Sequence, residues 1–338
     1  MKWLAVLLIA MAALFAMPRA EATTTCSVTS ITNVAFGTVD PTGTFVDTTA
    51  TLNYQCTYDA LLGALFGTYV TACASLGADD LSNFAPRTMI NAKSDRMQYQ
   101  LYKDSTRTTI WGAINNATYS AQTFNMSIGI LSNGVPVSGH LTIYGRVPAL
   151  QSNLSPGSYA ATLASSLTGN ALTYSYNEVL LSLGTAPATC LAGGTGGPVT
   201  VAAPSVGISA SVAAKCTVGV ATDLDFGNVP GLLRTASDNA SLVRMTCTNR
   251  AAYQVGLDNG KNAIGGVRRM SSGSGFVTYD LYQDIPRSQH WGNTLNTDTA
   301  PGTGSGSEQT MTVYGRVPAQ TAVRAGVYND VITVTVTY

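Results

Sequence analysis

The chain has 338 residues, of which only 11% are charged, with 18 basic side chains against 18 acidic ones. A typical soluble domain carries roughly 25% charge, so this surface must be built mainly from Thr, Ser, Asn and Gly. A balanced, sparse charge excludes phosphate-backbone binding as a main activity, because that needs a concentrated basic face.

The first 22 residues read as a secretory signal peptide. Lys2 gives the positive end, Trp3 to Phe15 the apolar run, and Ala20-Glu21-Ala22 the small-x-small cleavage site. Its removal leaves 16 basic and 17 acidic residues. No later stretch approaches the ~18 to 20 continuous apolar residues of a membrane span, so an exported product is expected. Cys26, Cys56, Cys73, Cys190, Cys216 and Cys247 make an even count, and in an oxidising compartment disulfides are the default. Close CxxC pairs are lacking and only His140 and His290 are present, so no metal and no cofactor is expected.

In chain order, an internal repeat organises the elements. Cys26 with Phe36-Gly37 returns as Cys216 with Phe226-Gly227, and Cys56 as Cys247. Tyr99-Gln-Leu-Tyr-Lys-Asp104, Arg107 and Trp111-Gly112 return as Tyr279-Asp-Leu-Tyr-Gln-Asp284, Arg287 and Trp291-Gly292. Tyr144-Gly-Arg-Val-Pro-Ala149 returns at Tyr314. Short strands are expected at Leu141–Tyr144, Ala171–Tyr176 and Met311–Tyr314. The clearest strand is the last, where Ile332, Val334, Val336 and Tyr338 alternate with Thr333, Thr335 and Thr337. Turn residues punctuate these runs at a spacing typical of β-sandwiches. The expected organisation is a signal peptide over 1–22, a first domain over 23–192, a flexible Gly-rich linker over 193–204 and a second domain over 205–338.

Matched cysteines imply matched disulfides, Cys26 with Cys56 and Cys216 with Cys247. Each closes a loop of about 30 residues, stabilising by about 3.6 kcal/mol in the chain-entropy model. By elimination Cys73 pairs with Cys190, a bridge private to the first copy; two free thiols are the alternative. In this alignment Cys73 matches Leu257 and Tyr69 matches Tyr253.

The Tyr-x-Leu-Tyr-x-Asp, Arg, Trp-Gly and Tyr-Gly-Arg-Val-Pro-Ala motifs, with the closing Gly-x-Tyr and Thr/Val strand, resemble the spore coat protein U domain, a family that includes subunits of archaic chaperone–usher pili. The resemblance covers both copies, and a two-domain chain with a signal peptide resembles the tip adhesin of such a pilus. It implies an all-β fold of two immunoglobulin-like sandwiches in tandem, the C-terminal one lacking its last strand. It also implies partners: a periplasmic chaperone, an outer-membrane usher and a pilin subunit that donates the missing strand. The implied location is the cell surface, at the pilus tip, reached through the periplasm.

The ends of the copies give a separate reading. Only Thr23-Thr24-Thr25 precede Cys26 in the mature chain, too short for a donor strand. The second copy stops at Tyr338, leaving Ile332, Val334, Val336 and Tyr338 as the edge of an acceptor groove. The first copy continues through Asn177 to Thr189 with Val179-Leu-Leu-Ser-Leu183, which is expected to complete its own sandwich.

Function is expected where the copies differ. Cys247 to Tyr253 spans six positions, whereas Cys56 to Tyr69 spans thirteen. The seven extra residues bring Leu61, Leu62, Leu65 and Phe66. Between Trp111 and Tyr144 the first copy is ten residues longer and carries Tyr119, Phe124, Met126, Ile128, Ile130 and Leu131. Loops normally lie on the polar surface, so Leu61, Leu62, Leu65, Phe66, Phe124, Ile128, Ile130 and Leu131 are candidate contacts with a hydrophobic abiotic or host surface. Capping of the sandwich core is the alternative for each. The shared Tyr99, Leu101, Trp111 and Tyr144 read as core, and Arg107/Asp104 and Arg287/Asp284 as structural ion pairs or bonds to loop carbonyls.

No Ser-His-Asp or Cys-His constellation is compelling, so no catalytic residue and no enzyme activity is expected. The expected function is hydrophobic attachment of cells to surfaces in biofilm formation. Two alternatives stand beside it. One is a structural coat or matrix protein; the other is a carbohydrate-binding tip with an aromatic platform around Tyr54, Tyr58 and Tyr69.

Overall fold

The computed structural model describes residues 23–60, 65–181, 183–229, 233–321 and 323–338. The signal peptide over 1–22 and Leu61 and Leu62 lie outside the described residues. Every named element is a β-strand.

The first sandwich contains β1 (Thr23–Ile31), β2 (Val34–Thr38), β3 (Val46–Asp59), β4 (Phe66–Ser75), β5 (Arg87–Ile90), β6 (Arg96–Tyr102), β7 (Gln122–Ile128), β8 (Val137–Val147), β9 (Gly157–Leu163), β10 (Ala171–Leu180), β11 (Gly196–Ala202) and β12 (Val206–Val212). The second contains β13 (Cys216–Ala221), β14 (Ser237–Cys247), β15 (Ala252–Leu257), β16 (Arg269–Ser271), β17 (Phe276–Thr278), β18 (Asp280–Tyr282), β19 (Ala300–Thr303), β20 (Glu308–Val317) and β21 (Val334–Thr337). Two separate hydrophobic cores match this division.

Period-two patterning explains the strands. In β3, Ala50, Leu52, Tyr54, Cys56 and Tyr58 are buried, while the residues between them are half-exposed. β3 lies between β1 and β8; in the second sandwich β14 lies between β13 and β20 in the same way. Disulfides join Cys26 to Cys56, Cys73 to Cys190 and Cys216 to Cys247.

The stretch read as a flexible linker is folded. β11 pairs with β10, and β12 is inserted between β9, to which it is antiparallel, and β2, to which it is parallel. Strand residues as far as Val212 therefore belong to the first sandwich, which corrects both the linker over 193–204 and a second domain starting at 205. The glycines serve close packing rather than flexibility. A Cβ on Gly196 would lie 2.3 Å from the Tyr176 ring, and Gly197 has φ +90 with the β10 backbone beneath it.

The first sandwich is thus completed from within the chain, but by 206–212 and not by 177–189. β10 carries that region only to Leu180, and Leu181 and Leu183 are exposed beyond it. The bond from Asn170 N to Ala164 O (3.1 Å) closes a short loop, so that β10 continues the line of β9. The buried Asn170 side chain pins the junction: it donates to Leu163 O and Pro204 O and accepts from Gly77 N.

Two buried tryptophans set the structural alignment of the copies. Trp111 Nε1 donates to Ala74 O and Trp291 Nε1 to Val255 O, each at 2.8 Å. Likewise Leu76 N bonds Gly112 O and Leu257 N bonds Gly292 O. Leu76, not Cys73, is the counterpart of Leu257, and Tyr253 corresponds to Ala72. The insertion before β4 is accordingly ten residues rather than seven.

Beside each tryptophan lies a buried arginine that motif reading did not single out. Arg87 donates to Gly77 O, Leu76 O and Trp111 O, and to Gln100 Oε1. Arg268 donates to Asp258 O, Leu257 O, Trp291 O and Asp280 Oδ1. Burial holds the Arg87 guanidinium down to about 10.

The repeated Arg107 and Arg287 each bond one turn carbonyl, Ser105 O and Ile285 O, and one strand carbonyl, Gly145 O of β8 and Gly315 O of β20. Their acidic partners are Asp47 and Asp238 rather than Asp104 and Asp284. Asp104 and Asp284 instead accept backbone N–H bonds in the following turn, which leaves their carboxylates no need of the arginine.

Candidate functional site

Two surfaces distinguish the copies, and the fold places them apart. The first is the end of the first sandwich where β4 begins, β7 ends and β10 ends. Leu180 is level with Phe66, and Ile128 with Thr68. The chain leaves the sheet here in three segments that are tied together. Leu181 N donates to Leu65 O (2.9 Å), Asn133 bonds both Ala60 N and Ala60 O, and Gly134 N donates to Tyr58 O (2.7 Å). These ties hold Leu65, Ile130, Leu131, Leu180, Leu181 and Leu183 outward. Leu131 is 78% and Leu183 83% exposed. Leu131 sits at φ 68, a left-handed position uncommon for a branched residue.

This end faces away from the second sandwich. Among the described residues, contacts between the two include Lys215 with Asp40 (2.7 Å), Asn249 Nδ2 with Asn153 O (2.6 Å) and Arg250 with Asp95. Gly157, the first residue of β9, is level with Val212 beside that junction, and β9 and β10 run in line away from it.

The structure separates the candidate residues. Leu65, Ile130 and Leu131 are exposed at this end. Phe66 and Phe124 are half-buried against the core, and Ile128 is 1% exposed within it. The ten-residue excess is not a loop alone. It lengthens β7, whose first residues pair with β4 as β19 pairs with β15, and the lengthened end turns Ile128 into the sandwich; Phe124, the counterpart of Gly302, lies on Tyr54 with ring centroids 4.2 Å apart. Leu180, Leu181 and Leu183 join the surface and do not form the completing strand expected from Val179 to Leu183; a leucine run with no alternation is the signal for this. The aromatic platform is not formed, because Tyr54 and Tyr58 are buried in the core.

The second surface is the sheet edge occupied by β12 in the first sandwich. There Val206, Ile208, Ala210 and Val212 point inward between β9 and β2. The structural alignment makes Leu163 the counterpart of Ile332, Tyr159 of Tyr328, and Val34, Phe36 and Val39 of Leu224, Phe226 and Val229. Tyr159 and Tyr328 make the same bond, each hydroxyl donating to the carbonyl four residues earlier, Ser155 O and Arg324 O.

The two sets differ in cover. Val34, Phe36, Val39, Tyr159 and Leu163 are buried; Leu224, Phe226, Val229, Tyr328 and Ile332 are only partly so. No described strand pairs along the outer edge of 323–333, and β21 is an edge strand bonded only to β15. Val334 and Val336 are half-buried and Tyr338 is exposed. Their first-copy counterparts Asn170, Leu172 and Tyr174 are buried, with β11 on the outer edge of Leu172 and Tyr174.

Among the described residues no group of three or more His, Cys, Asp or Glu side chains is placed to hold a metal ion. A shallow polar cleft of about 580 Å³ lies in the second sandwich, lined by Gln254, Gln283, His290 and Asp298 among others.

The family model of the Spore Coat Protein U domain matches residues 11–165 and 202–335, once per sandwich and over most of the chain. The chain belongs to the spore coat protein U domain family. Protein U of Myxococcus xanthus is 28% identical over 145 residues, spanning 38% of this chain and 80% of that protein. Among solved structures, the chaperone–tip adhesion subunit pre-assembly complex CsuC–CsuE, from the archaic chaperone–usher Csu pili of Acinetobacter baumannii, contains a similar chain. That chain is 19% identical, with 93% of this chain and 100% of that one covered at a TM-score of 0.48. The CupB6 tip adhesin of Pseudomonas aeruginosa is 11% identical over 94% and 93% of the two chains, at a TM-score of 0.37. The match covers both sandwiches, and each copy carries the motifs.

Proposed function

We propose that this chain is the tip adhesin subunit of an archaic chaperone–usher pilus. On this reading it is exported to the periplasm, bound there by a chaperone and passed to an outer-membrane usher. The second sandwich then receives a strand from the next pilin at the edge formed by Ile332, Val334, Val336 and Tyr338. The first sandwich faces outward at the cell surface and attaches the cell to abiotic or host surfaces during biofilm formation. It acts by binding and not as an enzyme.

The observation that carries this reading is that one edge is filled in one copy and open in the other. Residues 206–212 cover the apolar strip of the first sandwich, and the matching strip around Leu224, Phe226, Tyr328 and Ile332 is only partly buried and has no described strand across it. An uncovered edge above apolar side chains is an aggregation hazard and calls for an added strand. The exposed leucines at the far end support the adhesive half of the reading. Each fully buried Leu contributes about 1.5 to 3 kcal/mol, and many pili on one cell multiply weak contacts.

The test replaces Leu131, Leu181 and Leu183 with Ser in the full chain, in cells that make the pilus. Adhesion to polystyrene should fall at least about tenfold, the effect of losing a single 1.4 kcal/mol contact energy, with pilus number unchanged. Full adhesion by such a variant would remove this surface from the account.

A further inference from the structure

The open edge in the second sandwich has a template elsewhere in the same chain, and the template defines what fits it. In the first sandwich β12 runs parallel to β2 and antiparallel to β9, with Ile208 level with Val34 and Ala161, and Ala210 level with Tyr159. The register shifts here, Ser209 being level with Ala35 and Ser211 with Thr38, so Ala210 lies opposite the two residues Phe36 and Gly37 of β2. Ala210 is thus flanked by a strand bearing Phe36 on one side and by Tyr159 on the other, and all three are buried. Val212, by contrast, is level with Gly157, which has no side chain to compete for room.

The second sandwich keeps this arrangement. Phe226 and Tyr328 replace Phe36 and Tyr159, and Gly326 replaces Gly157. Tyr328 is fixed by the same hydroxyl bond, 2.8 Å to Arg324 O, so its ring cannot swing aside freely to admit a large residue.

Resting on the reading that this edge accepts a strand, we infer that its occupant is an extended segment of four alternating inward residues with a small one, Ala, Gly or Ser, in third place, lying between Phe226 and Tyr328. The segment runs parallel to 224–229 and antiparallel to 326–332. Its first two inward residues are branched aliphatics, as Val206 and Ile208 are, and its fourth is an apolar residue of unrestricted size because it faces Gly326. Packing supplies the selectivity, since forcing extra methylenes into a filled site costs typically 1 to 3 kcal/mol, or about 5- to 150-fold in affinity.

The probe is a labelled peptide with the sequence of residues 205–214, added to the intact mature chain, whose first sandwich already holds its own copy. Anisotropy measures binding, and amide hydrogen exchange reports where it occurs. The native peptide should bind and slow exchange at 326–332. A peptide with Ala210→Leu should bind at least about fivefold more weakly, and one with the outward-facing Ser209→Leu should bind like the native one. Equal binding by the Ala210→Leu peptide overturns the size rule while leaving the open edge intact. No binding by any peptide overturns the open edge itself. Slowed exchange at 157–163 in place of 326–332 would mean that the peptide displaces the resident strand, and would overturn the assignment to the second sandwich.

Discussion

Ile208 lies level with Val34 in a parallel pair of strands, both side chains buried, although the two residues stand at opposite ends of the sequence that builds the first sandwich. The sandwich is therefore closed by a segment that immediately precedes the first cysteine of the next copy. Removing that contact tests the closure. Ile208→Ala should destabilise the first sandwich by about 2 to 5 kcal/mol, the range for large-to-small changes in a core. Calorimetry should show one of two unfolding transitions shifted down and the other unmoved. A loss shared equally by both transitions would mean that β12 stabilises the second sandwich as well.

The Cys73–Cys190 bridge anchors the chain between β10 and β11 against β4, 117 positions apart in sequence. The chain-entropy model assigns such a loop about 4 to 5 kcal/mol. The double variant Cys73→Ser, Cys190→Ser should unfold its first sandwich at lower denaturant concentration. It should also expose β11 to protease near Gly196 and Gly197. Unchanged midpoints would show that β11 is held by its ladder to β10 alone.

Arg87 and Arg268 each occupy a buried site in which backbone carbonyls and one side chain accept their N–H groups. Arg87→Leu removes the donors but leaves the Gly77, Leu76 and Trp111 carbonyls unsatisfied, at about 1 to 3 kcal/mol for each group stranded without water. The expected outcome is a loss of about 3 to 5 kcal/mol from the first sandwich, read from urea midpoints, and a matching loss from the second in Arg268→Leu. Arg87→Lys should rescue only in part, because an ammonium lacks the fork that reaches several carbonyls.

Asp47 and Asp238 give the fold an acid-sensitive element. Arg146 binds Asp47 through two bonds of 2.7 and 2.8 Å, and Arg316 binds Asp238 identically. The hydrogen bond from the arginine, with the positive charge beside it, holds each carboxyl below its ordinary value. A carboxyl depressed on folding stabilises fully above its unfolded pKa, about 3.9, and loses that contribution as pH falls through the lower folded value. Both pairs are partly exposed, so each contributes under about 1 kcal/mol. Thermal midpoints followed from pH 6 to pH 2 should fall more steeply below about pH 4 in the native chain than in Asp47→Asn, Asp238→Asn. Parallel curves would assign the acid loss to other carboxylates.

Much of this was legible in the residues. The repeat was readable because copies of one sandwich need the same buried groups at the same intervals, Trp111 and Trp291, Tyr99 and Tyr279, Leu101 and Leu281; Tyr144 and Tyr314, read as core, are only half-buried. Period-two alternation at Ile332 to Tyr338 marked a strand of that sandwich for the same reason, since a strand with one face on a core must alternate. The three-residue slip between Cys73 and Leu257 arose where an insertion and a short run of small residues left no large side chain to hold the alignment.

What the sequence by itself determined is therefore local: strand periodicity, the cysteine repeat and the presence of two like domains, all consequences of side chains that must be buried in a fixed order. Only the tertiary structure decided which sandwich the Gly-rich stretch belongs to. It also decided which leucines face water and which strip of the second copy lies uncovered. Those outcomes depend on pairings between segments far apart in the chain, and hydrogen bonding across a sheet edge leaves no periodic trace in either partner.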